Sequence, residues 1–368
     1  YYIKVVQADG QIAVTAPVWI GDVEAVGISG MSVDTALPVK GEEVNVTLDL
    51  YNNEKEDLEL NEIQFTIDDQ VIHTVDLAAS GLTKVSSQGT ESYTFAYTHN
   101  ASGATNINVT VRATLNGNEK VYKDVIQLDY AIPEMVTNVL VDGTHYNDYV
   151  NGYYGGNIGN FTTIASENNA KVSVVTETFT KEMLDNCDLL IVSAPAKKNS
   201  TSNTGAYTVS HFEDEFIALV ADYAKNGGNV IICGIADYQD STDSQSSREL
   251  NKLLEAMGAT IRVNSDELYD TVNNGGQAYR LYFTEFNTAS KYLQNVQDGQ
   301  TYSAYSGCSV DITNAMQDTD TAKAAEWLVR GHDTTYTVDT KDENGNKITQ
   351  VTAVPEGEVV ALAAQDLV

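Results

Sequence analysis

Two rhythms of apolar and polar residues divide the chain. Apolar residues alternate with polar ones in short runs at 44–51, 61–68, 71–77, 90–97, 107–115 and 120–128. A period of two sends successive side chains to opposite faces, so each run predicts a strand with one buried face. Asn52-Asn53, Asp68-Asp69 and Asn116-Gly117-Asn118 punctuate these runs, and such residues tolerate the backbone of tight turns. About seven strands at this spacing predict an immunoglobulin-like β-sandwich over residues 22–131. Before it, 1–7 and 12–20 predict a hairpin turned at Asp9-Gly10, too small to hold a core of its own.

Past Pro133 the rhythm changes to strand followed by helix. The run 138–142 is apolar and ends in Asp142 and Gly143, which predicts the first strand of a parallel sheet with its carboxyl-end loop open to solvent. Strands are predicted at 171–176, 189–193, 229–232 and 260–263, and helices at 157–169, 180–184, 211–225 and 247–257. The longest of these helices has apolar residues at 212, 216, 217, 219, 220, 223 and 224 and a stop at Asn226-Gly227-Gly228. The segment 197–210 is polar and is expected to be a loop. The order of elements predicts a flavodoxin-like, three-layer α/β domain over residues 135–368. Its last third is less regular: strands at 277–286 and 302–312, a helix at 321–328, a hairpin over 336–354 turned at Asn344-Gly345, and a last strand at 359–364 returning to the sheet.

Composition narrows the function. Twenty-one basic against 52 acidic residues give a formal charge of −31, which disfavours nucleic acid and anionic membranes as partners, since both are held by Lys and Arg. No apolar stretch reaches membrane-spanning length, so no direct membrane insertion is expected. Cys187, Cys233 and Cys308 show no metal or disulfide spacing; Cys187 and Cys233 fall in or beside apolar runs and read as buried hydrophobes. The chain opens in mid-pattern at Tyr1 and ends without a polar tail, as expected of a piece of a longer polypeptide whose other domains are its nearest partners. Sparse Lys and Arg with abundant Asn, Thr, Tyr, Gly and Asp is similar to the composition of exported bacterial proteins, so an extracellular or cell-surface location is expected.

Three stretches carry family resemblances. The first 22 residues resemble the closing hairpin of secreted metallohydrolases of the PHP and calcineurin-like phosphoesterase type, which implies a catalytic domain upstream. Residues 41–53 resemble adhesion-type bacterial modules of the immunoglobulin-like fold, which implies a spacer or docking surface. Residues 139–145, 188–195 and 223–232 together resemble the class I glutamine-amidotransferase-like superfamily, in its non-catalytic branch. Active members carry a nucleophilic Cys in a Gly-x-Cys-x-Gly elbow. Here Cys233 lies between Ile231 and Ile235, without the elbow glycines, and no His-x-Glu pair follows it. The resemblance therefore implies the fold without the activity.

Candidate chemistry gathers at the carboxyl ends of the strands, where ligands sit in open α/β sheets. Asp142, His145, Asn147 and Asp148 lie in the first loop and Asp237, Tyr238, Asp240 and Asp243 in the fourth. Tyr146, Tyr149, Tyr153 and Tyr154, interleaved with glycines, offer stacking faces to a sugar or peptide. Asp142, His145, Asn147, Tyr153, Asp237 and Tyr238 are accordingly the expected ligand-binding residues. No cofactor is indicated, although the carboxylates suit calcium. The expected function is a non-catalytic accessory fragment, a sandwich spacer plus an α/β module that binds a partner protein or glycan. The alternatives are a hydrolase using Asp142 and His145, or a purely structural accessory to an upstream metallohydrolase.

Overall fold

The computed structural model describes residues 24–198, 207–236, 246–312, 324–339 and 358–368, together with the backbone of two short strands, β1 (Lys4–Val6) and β2 (Ile12–Val14). These two pair antiparallel, as the expected hairpin requires; its Asp9-Gly10 turn lies outside the described residues. The chain divides into two compact units, Tyr1–Val136 and Thr137–Val368.

The first unit is a β-sandwich. One sheet orders β3 (Val26–Val33), β4 (Glu43–Asn52) and β8 (Gly89–Thr98) side by side. The other runs β10 (Asn118–Tyr130), β9 (Gly103–Leu115), β5 (Leu58–Ile67) and β6 (Gln70–Thr74), with β7 (Lys84–Val85) also on β5. Every pairing in both sheets is antiparallel. Alternation has the predicted effect: Val44, Val46, Leu48 and Leu50 of one sheet meet Ile63, Phe65, Ile107, Val109 and Val111 of the other in one core. The tight turns fall where turn residues were read, with Asp68, Asp69, Asn116 and Gly117 all at positive φ. The run 71–77 is divided, because α1 (Leu77–Ser80) is capped by Asp76, whose carboxylate accepts from the Ala79 N–H at 2.9 Å.

In the second unit, β11 (Thr137–Asp142) is followed by α2 (Ile158–Ser166), β12 (Ala170–Val175), α3 (Lys181–Asp185) and β13 (Leu189–Ser193). Two short strands, β14 (Ala196–Lys198) and β15 (Tyr207–Val209), then pair antiparallel, so the ends of the expected polar loop form a ribbon. Next come α4 (Asp214–Lys225), β16 (Asn229–Cys233) and α5 (Ser246–Met257). The strands β12, β11, β13 and β16 form an all-parallel sheet in that order. Leu190 and Val192 of β13 pack with Phe216 and Val220 of α4 and Leu250, Leu253 and Leu254 of α5. Gly258 ends α5 at φ +88°, the left-handed cap that glycine adopts without strain.

Beyond Gly258 the expectation of a continuing α/β domain is corrected. β17 (Arg262–Val263) pairs antiparallel with β22 (Val310–Asp311), and so adds nothing to the parallel sheet. β18 (Asp266–Asp270) pairs with β24 (Thr335–Asp339), and β19 (Arg280–Phe283) with β21 (Tyr302–Tyr305). β20 (Glu285–Phe286), β23 (Glu326–Arg330) and β25 (Val360–Ala364) make a three-stranded antiparallel sheet. Residues 326–328, expected in a helix, are thus strand, and 359–364 join β23 rather than the parallel sheet. Partners on both sides outweigh the helix propensity of Ala and Glu. The Asn344-Gly345 turn lies outside the described residues.

Candidate functional site

The loop after β11 is built around Asp142. Its Oδ1 accepts from the Thr144 N–H at 2.9 Å and the Thr144 hydroxyl at 2.7 Å, an Asx turn closing the end of the strand. Its Oδ2 meets His145 Nδ1 at 2.8 Å, and His145 Nε2 meets Glu213 Oε2, also at 2.8 Å. Glu213 stands at the N-cap of α4. The imidazole packs against Phe212 and Phe216, with ring centroids 4.8 and 4.5 Å away. Asp142 and His145 are 2% and 6% exposed. Burial works against the charged imidazole, yet the two carboxylates outweigh it and raise the His145 pKa above its ordinary value. The hydrogen bond from His145 holds the Glu213 carboxyl below the usual range. Both ring nitrogens are therefore engaged, and the triad clamps the first loop to α4.

Asn147 continues the scaffold. Its amide donates to the Asp142 carbonyl at 2.9 Å and to Ser193 Oγ at 3.3 Å, while its Oδ1 accepts from the Tyr149 N–H at 3.0 Å. It thus joins the carboxyl ends of β11 and β13. Asp148 Oδ1 accepts from the backbone N–H groups of Tyr153 and Lys198, each at 3.0 Å. The structure brings Asp142, His145 and Asn147 together as a buried frame and leaves Tyr153 at the surface, edge-on to Tyr154 at 4.8 Å. Asp237 and Tyr238 lie outside the described residues. Among the described residues, no group of three His, Cys, Asp or Glu side chains is placed to hold a metal ion.

Beside this frame lies a cavity of about 1320 Å³. The sheet's edge strand β16 forms one wall, with Ile231 43% exposed and Cys233 open to the space. This corrects the reading of Cys233 as a buried hydrophobe, because an edge strand packs on one side only. Protein atoms crowd around the accessible sulfur and push its thiol up to about 11, so it stays protonated at neutral pH. The same holds for Tyr149, which is 49% exposed while burial raises its phenol. Groups that water reaches but protein surrounds are what the wall of a concave site presents.

Tyrosines stand among the aliphatic side chains of the remaining walls. Tyr149 stacks on Tyr154 at 5.8 Å, and Tyr279 meets Tyr269 and Tyr305 edge-on at 6.2 and 5.6 Å. Burial, with a hydrogen bond to Glu267 Oε2 at 2.8 Å, pushes the Tyr269 phenol up to about 12. Lys198 Nζ lies 5.1 Å from the Tyr154 ring centroid, and the Arg280 guanidinium 5.1 Å from that of Tyr305. Of these groups, sequence reading picked out only the 146–154 loop. The available signal was the 21 tyrosines against eight phenylalanines, several of them at 279–305.

No protein family matches the chain, and no curated protein does. Among solved structures it is similar to a CARDB domain from Pyrococcus furiosus determined in complex with di-metal ions, at 14% identity over 32% of this chain and 100% of that one, TM-score 0.23. It is also similar to a sporulation control protein of Bacillus subtilis, at 15% identity over 29% of this chain and 50% of that one, TM-score 0.21. A cycloisomaltooligosaccharide glucanotransferase of Paenibacillus sp. matches 77% of this chain with 34% of its own, at 13% identity and TM-score 0.25. At these identities and scores the similarities assign neither a family nor a function.

Proposed function

We propose that the unit Thr137–Val368 is a non-catalytic carbohydrate-binding module with a glutamine-amidotransferase-like, flavodoxin-type sheet. The unit before it serves as its spacer within an exported, multidomain bacterial protein. The cavity at the open edge of the parallel sheet carries this reading. Tyr149 offers it a ring already braced on one face by Tyr154, and Tyr279 and Tyr269, the latter with its phenol held by Glu267, line the same cavity. A sugar ring is recognised by an aromatic face with polar groups around it.

A hydrolase acting through Asp142 and His145 has less in its favour, because a general base needs a nitrogen free for the substrate proton and both His145 nitrogens face carboxylates. A thiol at about 11 likewise makes Cys233 a poor nucleophile at neutral pH. Export rests on the acidic, Lys-poor composition. The test is a glycan array probed with the whole chain and with Tyr149→Ala. Binding by the first that falls about tenfold in the second supports a carbohydrate module. Retention of nothing by the intact chain would leave the architectural reading in its place.

A further inference from the structure

The cavity is larger than a single sugar ring requires, and its walls are not of one kind. Sites for small molecules enclose about 300–1,000 Å³, whereas this one holds about 1320 Å³. Every residue of β16, Asn229 to Cys233, lines it, so it runs the length of that strand, roughly 13 Å. The register of β16 on β13 orders what a ligand meets on the way. Leu190, Val192, Val230 and Ile232 pack with Phe216 of α4 and Leu253 of α5. Ser193 pairs with Cys233, Ile191 with Ile231 and Leu189 with Asn229, and alternation puts these six side chains on the opposite face. At the carboxyl end Ser193 Oγ accepts from the Asn147 amide, whose Oδ1 in turn holds the Tyr149 N–H. The stacked tyrosines Tyr149 and Tyr154 therefore stand at that end. One pleat further along the strand is Ile231, an aliphatic side chain left 43% exposed.

Three separate apolar clusters end on the same space: Met257 belongs to that of α4 and α5, Leu362 to a second and Ile261 to a third. An apolar group lying among them removes all three surfaces, and Ile231 with them, from water. A second sugar ring in that position would instead set hydroxyls against aliphatic walls that offer them no partner, which is unfavourable. We propose that the ligand is a free, amphiphilic glycoside whose sugar stacks on Tyr149 and whose alkyl aglycone lies along β16 over Ile231. This assignment rests on the carbohydrate-binding reading above and adds to it the chemical class of the group that the sugar carries.

The experiment titrates the whole chain calorimetrically with the methyl, butyl and octyl glycosides of glucose, galactose, mannose and N-acetylglucosamine, each below its micelle concentration. For a sugar that binds, affinity is expected to rise about fourfold with each buried methylene, hence roughly sixtyfold from methyl to butyl. The heat capacity of binding should become more negative along the series. Ile231→Asp, which puts a charge on the track, and Ile231→Trp, which fills it, should each lower the octyl-to-methyl ratio about tenfold. Both alter an exposed position, and circular dichroism checks that they fold. Tyr149→Ala should weaken the methyl and octyl members alike. Equal affinity for the two overturns the apolar subsite and leaves the carbohydrate module standing. A chain-length preference that persists in both Ile231 variants overturns its placement along β16. Retention by phosphatidylcholine vesicles carrying a monogalactosyl diglyceride, with no affinity for monomeric octyl galactoside, overturns uptake of a free glycoside. Octanol bound as tightly as the octyl glycosides, and unaffected by Tyr149→Ala, overturns the carbohydrate reading and the amphiphile with it, as does binding of none of the series.

Discussion

His145→Ala removes the centre of the clamp between β11 and α4, and its cost follows from its two unlike partners. Asp142 is 2% exposed and would keep only the Thr144 donors, so that bond is worth about 2–3 kcal/mol. Glu213 is 69% exposed on its side chain and solvates readily, so the second bond adds no more than about 0.5 kcal/mol. Loss of the ring between Phe212 and Phe216 adds about 1 kcal/mol. The expected loss is about 4 kcal/mol in total. It can be read by urea unfolding in a Trp19→Phe background, where Trp327 fluorescence reports on the second unit alone. The pH dependence has a definite sign. His145 titrates above its ordinary 6.5 when folded, so its contribution is full below 6.5 and lost as pH rises through the raised value. Glu213 titrates below its ordinary 4.5, so its share is present above 4.5 and lost as pH falls through the depressed value. The clamp is strongest between these limits, and His145→Ala should flatten the decline that sets in as pH rises above about 6.5. A loss under about 1 kcal/mol, or a wild-type second unit that gains stability over that interval, would refute the clamp.

Alkylation of Cys233 by iodoacetamide at pH 8 should run roughly a hundredfold slower than that of a free cysteine and accelerate as pH approaches its value of about 11; a rate at pH 8 matching free cysteine would contradict the crowded wall. Gly234→Ala would place a Cβ 2.5 Å from Cys308 Sγ and 3.0 Å from Val263 Cγ1, costing about 1–3 kcal/mol. Cys308→Ala in the same chain should recover part of that loss, a thermal-melt comparison that fails if the two changes are additive. Asp270 is fully buried and accepts from Val272 N–H, Asn273 N–H, Thr334 Oγ and Thr335 Oγ. Burial raises its carboxyl, but these donors hold it below 3.8. Its contribution is therefore present above about 4 and lost as pH falls through the depressed value. Asp270→Ala should cost about 3 kcal/mol at neutral pH by urea titration, and a change under about 1 kcal/mol would show that the donors find water instead.

What the sequence discloses depends on how local the determining contacts are. The strands of the sandwich are legible because Val44 to Leu50 and Ile107 to Leu115 carry a strict period of two across elements of 10 and 13 residues, and because Asn116-Gly117 fixes its hairpin within two residues. The parallel sheet is legible for a related reason, since each of β11, β13 and β16 is a compact apolar run with a turn or helix signal at its end. Past Gly258 no such signal exists. Leu268 pairs with Thr337 and Trp327 with Ala363, in strands of two to five residues that are too short to display a period and whose partners lie far along the chain. The same distinction separates frame from site. Asp142, His145 and Asn147 stood out because they are close in sequence, and that closeness is what lets them bury one another as a frame. The third member of the clamp, Glu213, follows 68 residues after His145. Tyr149, Lys198, Tyr269 and Tyr305 come to one cavity only through the fold, so no spacing advertises them. A cavity assembled from many separate stretches is legible in sequence as composition alone, here as an excess of tyrosine over phenylalanine.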